Sequence, residues 1–181
     1  MKAAVVALAV VLALIAGAMD WRTRRIPNWL TVPGLLVGIA ANWLAGGWGL
    51  AGDWPGLKNS LLGAGLGLLV LLPFVLLRSL GAGDWKLAGA VGAFVGPGAL
   101  ADLLMLSVLV AGVMAIALVI YKRRLGQTLH NIGHLLRSLL TFRMPAAEVT
   151  LDNPQSLKVP YGVALALAVV LYGIRYAGGG R

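Results

Sequence analysis

Hydrophobic residues occupy this chain in long blocks, at about 3–19, 29–50, 60–77, 87–101, 103–121 and 160–177, separated by short polar or glycine-containing stretches. Each block is close to the roughly 20 residues that a helix needs to cross a bilayer. The Leu, Ala, Val and Gly runs do not alternate as the strands of a membrane barrel do, so the pattern predicts helices. It predicts an all-α membrane protein of six transmembrane helices forming a single domain over 1–181. The fourth helix is expected to be short, about 22 Å at 1.5 Å per residue, because Gly96-Pro97-Gly98 stops it. A helix that short sets its start below the membrane surface.

The longest interval between blocks, about 122–159, carries Leu125, Leu129, Ile132, Leu136, Leu139 and Leu140 at helical spacing, with Gln127, Asn131, His134 and Ser138 between them. That spacing predicts an amphipathic helix lying on the inner membrane face. Lys122, Arg123, Arg124, Arg137 and Arg143 around it suit anionic headgroups or an acidic partner. Gly63, Gly65 and Gly67 on the third helix, and Gly89, Gly92 and Gly96 on the fourth, let helix backbones approach one another.

Composition agrees with the pattern: of 181 residues 60% are hydrophobic and 12% charged, and the mean hydropathy is +0.89. The net charge of +9 is explained by topology, not by nucleic acid. With the N-terminus outside, the inner side holds Arg22, Arg24, Arg25, Arg78, Lys86, Lys122, Arg123, Arg124, Arg137, Arg143 and Lys158, and the outer side Lys2, Lys58, Arg175 and Arg181. That asymmetry sets the orientation by the positive-inside rule. Lys2, the short first block and Ala16-Gly17-Ala18 also resemble a cleaved signal peptide. Arg22, Arg24 and Arg25 follow at once, however, and hold that flank inside, so the first helix is expected to be retained. There is no cysteine, which excludes disulfides, thiolate metal sites and cysteine nucleophiles.

Against this background two acids stand out. Asp20 directly follows the first block, and Asp84 lies in Gly81-Ala82-Gly83-Asp84 before the fourth. A carboxylate in hydrocarbon costs about 2.5–3.5 kcal/mol at mid-bilayer and is retained mainly where it is paired or functional. Two carboxylates about 4 Å apart repel by roughly 4 kcal/mol at an effective dielectric near 20, so a close pair holds one proton between them. The ionised member then takes a proton from water while the protonated one polarises a carbonyl. Which of the two plays which part belongs to the pair and is not assignable. Gly81 and Gly83 would let a substrate backbone approach Asp84 and the chain bend sharply into the fourth helix, or form a plain tight turn. Asn28 is a plausible N-cap for the second helix. Lys86 either biases the pair and meets an acidic substrate group, or snorkels as an interfacial anchor.

Asp20-x5-Ile26-Pro27-Asn28, followed after two helix crossings by Gly81-x-Gly83-Asp84-x-Lys86 and closed by Val159-Pro160-Tyr161-Gly162, resembles the type IV prepilin peptidases, membrane aspartic proteases of the GxGD class. The resemblance implies an endopeptidase of the inner (cytoplasmic) membrane that removes the leader of prepilin or pseudopilin substrates on the cytoplasmic side. The leader would be short, basic and end in Gly, ahead of a hydrophobic helix that stays in the membrane. It also implies catalysis by Asp20 and Asp84, supported by Ile26, Pro27, Asn28, Gly81, Gly83 and Lys86. Bifunctional members of that family N-methylate the new terminus through a region with a cysteine-held zinc. The lack of cysteine and the start of this chain at the first catalytic helix point to the short form, without methylation. Trp85 stands where the family usually has an aliphatic residue, and Trp21, Trp85, Pro160, Tyr161 and Gly162 are candidates for the substrate groove. Interfacial anchoring explains the tryptophans equally well.

No cofactor and no metal are expected. His130 and His134 have helical zinc spacing, but Asn131 stands where a metalloprotease needs its glutamate. Asp53, Asp102, Glu148 and Asp152 read as surface charges. The partners expected are a pilin-like protein substrate and membrane lipid. Two other classes use the same features: a proton-coupled transporter built on two intramembrane carboxylates, which should show an inverted repeat that is not evident here, and a noncatalytic scaffold of a pilus machine.

Overall fold

The computed structural model describes residues 1–49, 55–77, 79–123, 126 and 159–179. Among them every regular element is helical: α1 Lys2–Thr23, α2 Asn28–Gly46, α3 Leu57–Leu76, α4 Ala82–Tyr121 and α5 Tyr161–Ala177. The first four are long and apolar enough to cross a membrane, and α5 is a shorter apolar helix. The amphipathic helix expected within 122–159, with His130 and His134, lies outside the described residues.

At 1.5 Å per residue, the 40 residues of α4 would run about 60 Å, twice the hydrocarbon thickness, as a straight rod. They do not. Gly96 takes φ 77° and ψ 173°, a conformation that side-chain-bearing residues rarely adopt, and Pro97 follows it. The expected stop at Gly96-Pro97-Gly98 is thus a bend between two arms, 82–95 and 97–121. Proline has no N–H to close a bond to the carbonyl four residues back, and that carbonyl, Ala93 O, is served from neighbouring helices. Ser60 Oγ of α3 donates to it at 2.6 Å and Asn42 Nδ2 of α2 at 2.8 Å. Asn42 Nδ2 also reaches Phe94 O at 3.0 Å.

The first arm of α4 is the centre of the bundle: every residue from Leu87 to Gly96 is buried. α4 as a whole packs against α1, α2, α3 and α5, as a helix apolar on all sides does inside a larger assembly. On α1 the packed face is Val5, Ala9, Leu12, Ala13, Ala16 and Asp20, while Leu8, Val11, Leu14 and Ile15 face outward. Small residues mark the contact, as expected where lipid offers no hydrophobic drive for helices to associate.

Glycine packing is selective. A Cβ on Gly63 would meet the backbone of Gly92, and one on Gly92 the backbone of Gly63. Gly67 also lies close to Ala88 O, at 2.6 Å from its would-be Cβ, and Gly89 presses on the Leu68 side chain. Gly65 faces open space, and Gly96 serves the bend. Gly92→Ala is therefore expected to lower the unfolding free energy by about 2 kcal/mol or more through overpacking against backbone. Gly65→Ala should fall within about 0.5 kcal/mol of the parent or above it. Thermal denaturation in detergent compares the two.

Candidate active site

Asp20 lies in the last turn of α1, at the end of the helix where its dipole disfavours a negative charge. The helix closes on Arg24, which takes the left-handed conformation at φ 54° and returns its N–H to Asp20 O at 2.9 Å. Ile26 then runs extended because a proline follows, and Pro27, at φ −77° and ψ 151°, is the N-cap of α2. Asn28 was the expected cap, but it is the first helical residue instead. A proline there needs no donor, since first-turn N–H groups are unpaired in any case. The Asn28 side chain, freed from capping, accepts from Lys86 Nζ at 2.9 Å through its Oδ1.

The Gly81-Ala82-Gly83-Asp84 segment is the N-terminal turn of α4 and not a loop ahead of it. Gly81 is the N-cap at φ −69° and ψ 140°, ordinary extended backbone, so no glycine-only bend leads into the helix. Asp84 is the third helical residue, and its carboxylate reaches back to the Gly81 amide, half of a capping box. A Cβ on Gly81 would lie 3.0 Å from Asp84 Oδ2. Gly83 is needed for a different reason: its would-be Cβ lies 2.9 Å from Ile26 O and 3.0 Å from Ile26 Cβ. The missing side chain makes room for the α1–α2 connection.

The third contributor is the start of α5. The Gly162 and Val163 amides approach the Asp20 carboxylate, and the Gly162 amide also approaches Asp84. First-turn amides lack the usual partner four residues back and point at anions, although the Val163 N–H also reaches Pro160 O at 3.2 Å. Gly162 admits no side chain: a Cβ there would lie 2.8 Å from Ile26 Cδ1, 2.9 Å from Asp20 Oδ2 and 3.0 Å from Asp20 Cβ. Ile26 is thus clasped between Gly83 and Gly162, which joins the three segments.

The two carboxylates are near enough to repel one another. They share a cavity of about 520 Å³ lined by Asp20, Arg24, Arg25, Ile26, Pro27, Asn28, Gly81, Ala82, Gly83, Asp84 and Lys86. One oxygen of each, Asp20 Oδ2 and Asp84 Oδ1, is buried without a hydrogen-bond partner among the described residues. Buried polar atoms are rarely left so, and here both belong to acids on one cavity. Among the described residues no cluster of three or more His or acidic side chains is suited to a metal ion.

All of Asp20, Ile26, Pro27, Asn28, Gly81, Gly83, Asp84 and Lys86 come together. Trp21, Trp85, Pro160, Tyr161 and Gly162 are not in the cavity wall. Trp21 is 66% exposed, and the Trp85 indole turns to α3 and donates to Leu68 O at 2.6 Å. Pro160 caps α5, and the Tyr161 hydroxyl lies 2.8 Å from Ser107 Oγ on the second arm of α4. Arg24 and Arg25, read from sequence only as topological charges, line the same cavity, and Arg24 lies within electrostatic reach of Asp20; their closeness to Asp20 in the chain was the available signal. The Lys86–Asn28 bond predicts that Lys86→Met and Asn28→Ala are coupled. A double-mutant cycle on thermal stability should give about 1 kcal/mol, as for a charge-assisted bond open to solvent.

The sequence profile of the type IV leader peptidase family matches residues 7–120. That stretch contains most of α1, all of α2 and α3, both aspartates and nearly all of α4, and it stops before α5. Comparison with curated proteins and with solved structures gives no match.

Proposed function

The chain belongs to the type IV leader peptidase family, and from that membership we propose that this membrane protease is an aspartic endopeptidase in which Asp20 and Asp84 share the catalysis. The observation that carries the reading is the meeting of these two acids, from distant helix ends, on one cavity and one amide, that of Gly162.

In this mechanism the ionised carboxylate accepts a proton from a water held between the pair as the water oxygen attacks the scissile carbonyl. The protonated carboxyl donates to the carbonyl oxygen, and collapse of the tetrahedral intermediate returns a proton to the leaving amine. The Gly162 amide offers a fixed donor to the charge on the pair. The bond must be presented unwound, since a helical backbone engages its carbonyls internally.

The proposed substrate is a prepilin-like or pseudopilin subunit with a basic leader, cut at the cytoplasmic face of the inner membrane. We read the two arms of α4 and the four other described helices as six crossings with the N-terminus outside, a reading supported by the Lys and Arg distribution. The arm 82–95 is about 21 Å long, shorter than the hydrocarbon layer, which favours a recessed Asp84. Methyl transfer is not part of the proposed activity, as the chain offers no cysteine for a zinc-held region.

The test is to reconstitute the protein in lipid with a prepilin that retains its hydrophobic helix and to identify the product termini by mass spectrometry. A single cut after the leader Gly is the expected result. Proton flux without cleavage would indicate a transporter, and neither activity a scaffold.

A further inference from the structure

Tyr161 and Ser107 link the start of α5 to the second arm of α4 through side chains that the proposed chemistry does not use. Ser107 is fully buried. Its Oγ donates to Leu104 O at 2.8 Å, and the Tyr161 hydroxyl lies 2.8 Å from the same oxygen. A serine hydroxyl has one proton. With that proton on Leu104 O, the phenol must be the donor, and the chain of bonds runs Tyr161 O–H to Ser107 Oγ–H to Leu104 O.

The residue after Tyr161 is the one whose amide approaches both acids. The α5 start has no side-chain cap; its first turn is closed by the Val163 and Ala164 N–H groups on Pro160 O at 3.2 and 3.4 Å, so the Gly162 amide is placed by where that turn as a whole sits. Tyr161 itself lies within electrostatic reach of Asp84. Tyr161 and Gly162 are the first two residues of α5, so a bond that ties the Tyr161 side chain to α4 restrains the position of the backbone that carries the Gly162 amide.

We propose that Ser107 is a positioning residue, which acts through the Tyr161 hydroxyl to hold the Gly162 amide against the Asp20–Asp84 pair. The inference rests on the aspartic peptidase reading and extends it to a residue outside every motif of the site. Breaking the bond misplaces a donor that serves the reacting groups, while the cavity that receives the substrate, formed by α1, the α1–α2 connection, α2 and α4, stays as it was. The loss therefore falls on turnover and not on substrate affinity.

Ser107→Ala and Tyr161→Phe each remove one hydroxyl and keep the packing shape. In lipid, with a prepilin that retains its hydrophobic helix, each should lower kcat about tenfold with KM within twofold. The double variant should lose no more than either single one, because both changes cut the same bond. Melting temperatures should stay near the parent's, and Tyr161→Phe reports on the bond if Ser107→Ala disturbs packing. A kcat within twofold of the parent in both variants, a multiplicative loss in the double, or a loss confined to KM overturns the latch. Asp20→Asn, assayed alongside, separates the failures: cleavage by that variant refutes the peptidase reading, whereas its inactivity beside unimpaired latch variants refutes the latch alone.

Discussion

Replacing either Asp20 or Asp84 with Asn should reduce kcat for leader cleavage by about 10³-fold or more, since each change removes an acid–base partner that the other cannot replace. The loss should come without a loss of stability. Asp20 sits at the unfavourable end of its helix dipole, is 6% exposed and has an unpartnered oxygen; Asp84 faces a like charge. Asn keeps the shape and removes the charge, so the melting temperature is expected to hold or rise. An inactive protein at least as stable as its parent is the signature of groups kept for chemistry. More than a tenth of the parental rate in either variant would contradict the shared-proton mechanism.

The second large effect is expected at Gly162. An added methyl would sit 2.9 Å from Asp20 Oδ2 and 2.8 Å from Ile26 Cδ1, so Gly162→Ala must push the acid, the α1–α2 connection or the α5 start aside. Displacements of about 1 Å in a catalytic arrangement cost on the order of 100-fold, and a loss of that size in kcat is expected. Gly98→Ala provides the contrast, because a Cβ at Gly98 meets nothing within 4 Å; its rate should stay within twofold of the parent. Equal behaviour of the two variants would mean that close approach at Gly162 has no bearing on turnover.

The parts of this arrangement that could be read from the sequence are those written locally. Asp20, Asp84 and the Ile26-Pro27-Asn28 turn announce themselves by charge and proline chemistry next to apolar blocks, and Gly96-Pro97-Gly98 announces an interruption. Less visible was which way each helix turns. In a soluble protein, polar residues mark the outer face of a helix. Here α4 is apolar on every side, and its period gives no hint that Leu87 through Gly96 is enclosed while Val108, Val113 and Ile116 are exposed. The partner of Gly83 could not be inferred for the same reason, and the glycine reads as a turn or a path for substrate when it is a seat for Ile26. Asn28 misled in another way: a capping side chain is also a good acceptor, and Lys86, a whole helix pair away in sequence, was the donor that claimed it.

The carboxylate pair is finished by the N-terminal turn of α5, more than two-thirds of the way along the chain and after every residue that lines the cavity. A ribosome delivers the two acids well before it delivers the amide that bridges them. Under the proposed mechanism the growing protein therefore holds both acids before they are bridged, and the arrangement is complete only when α5 docks.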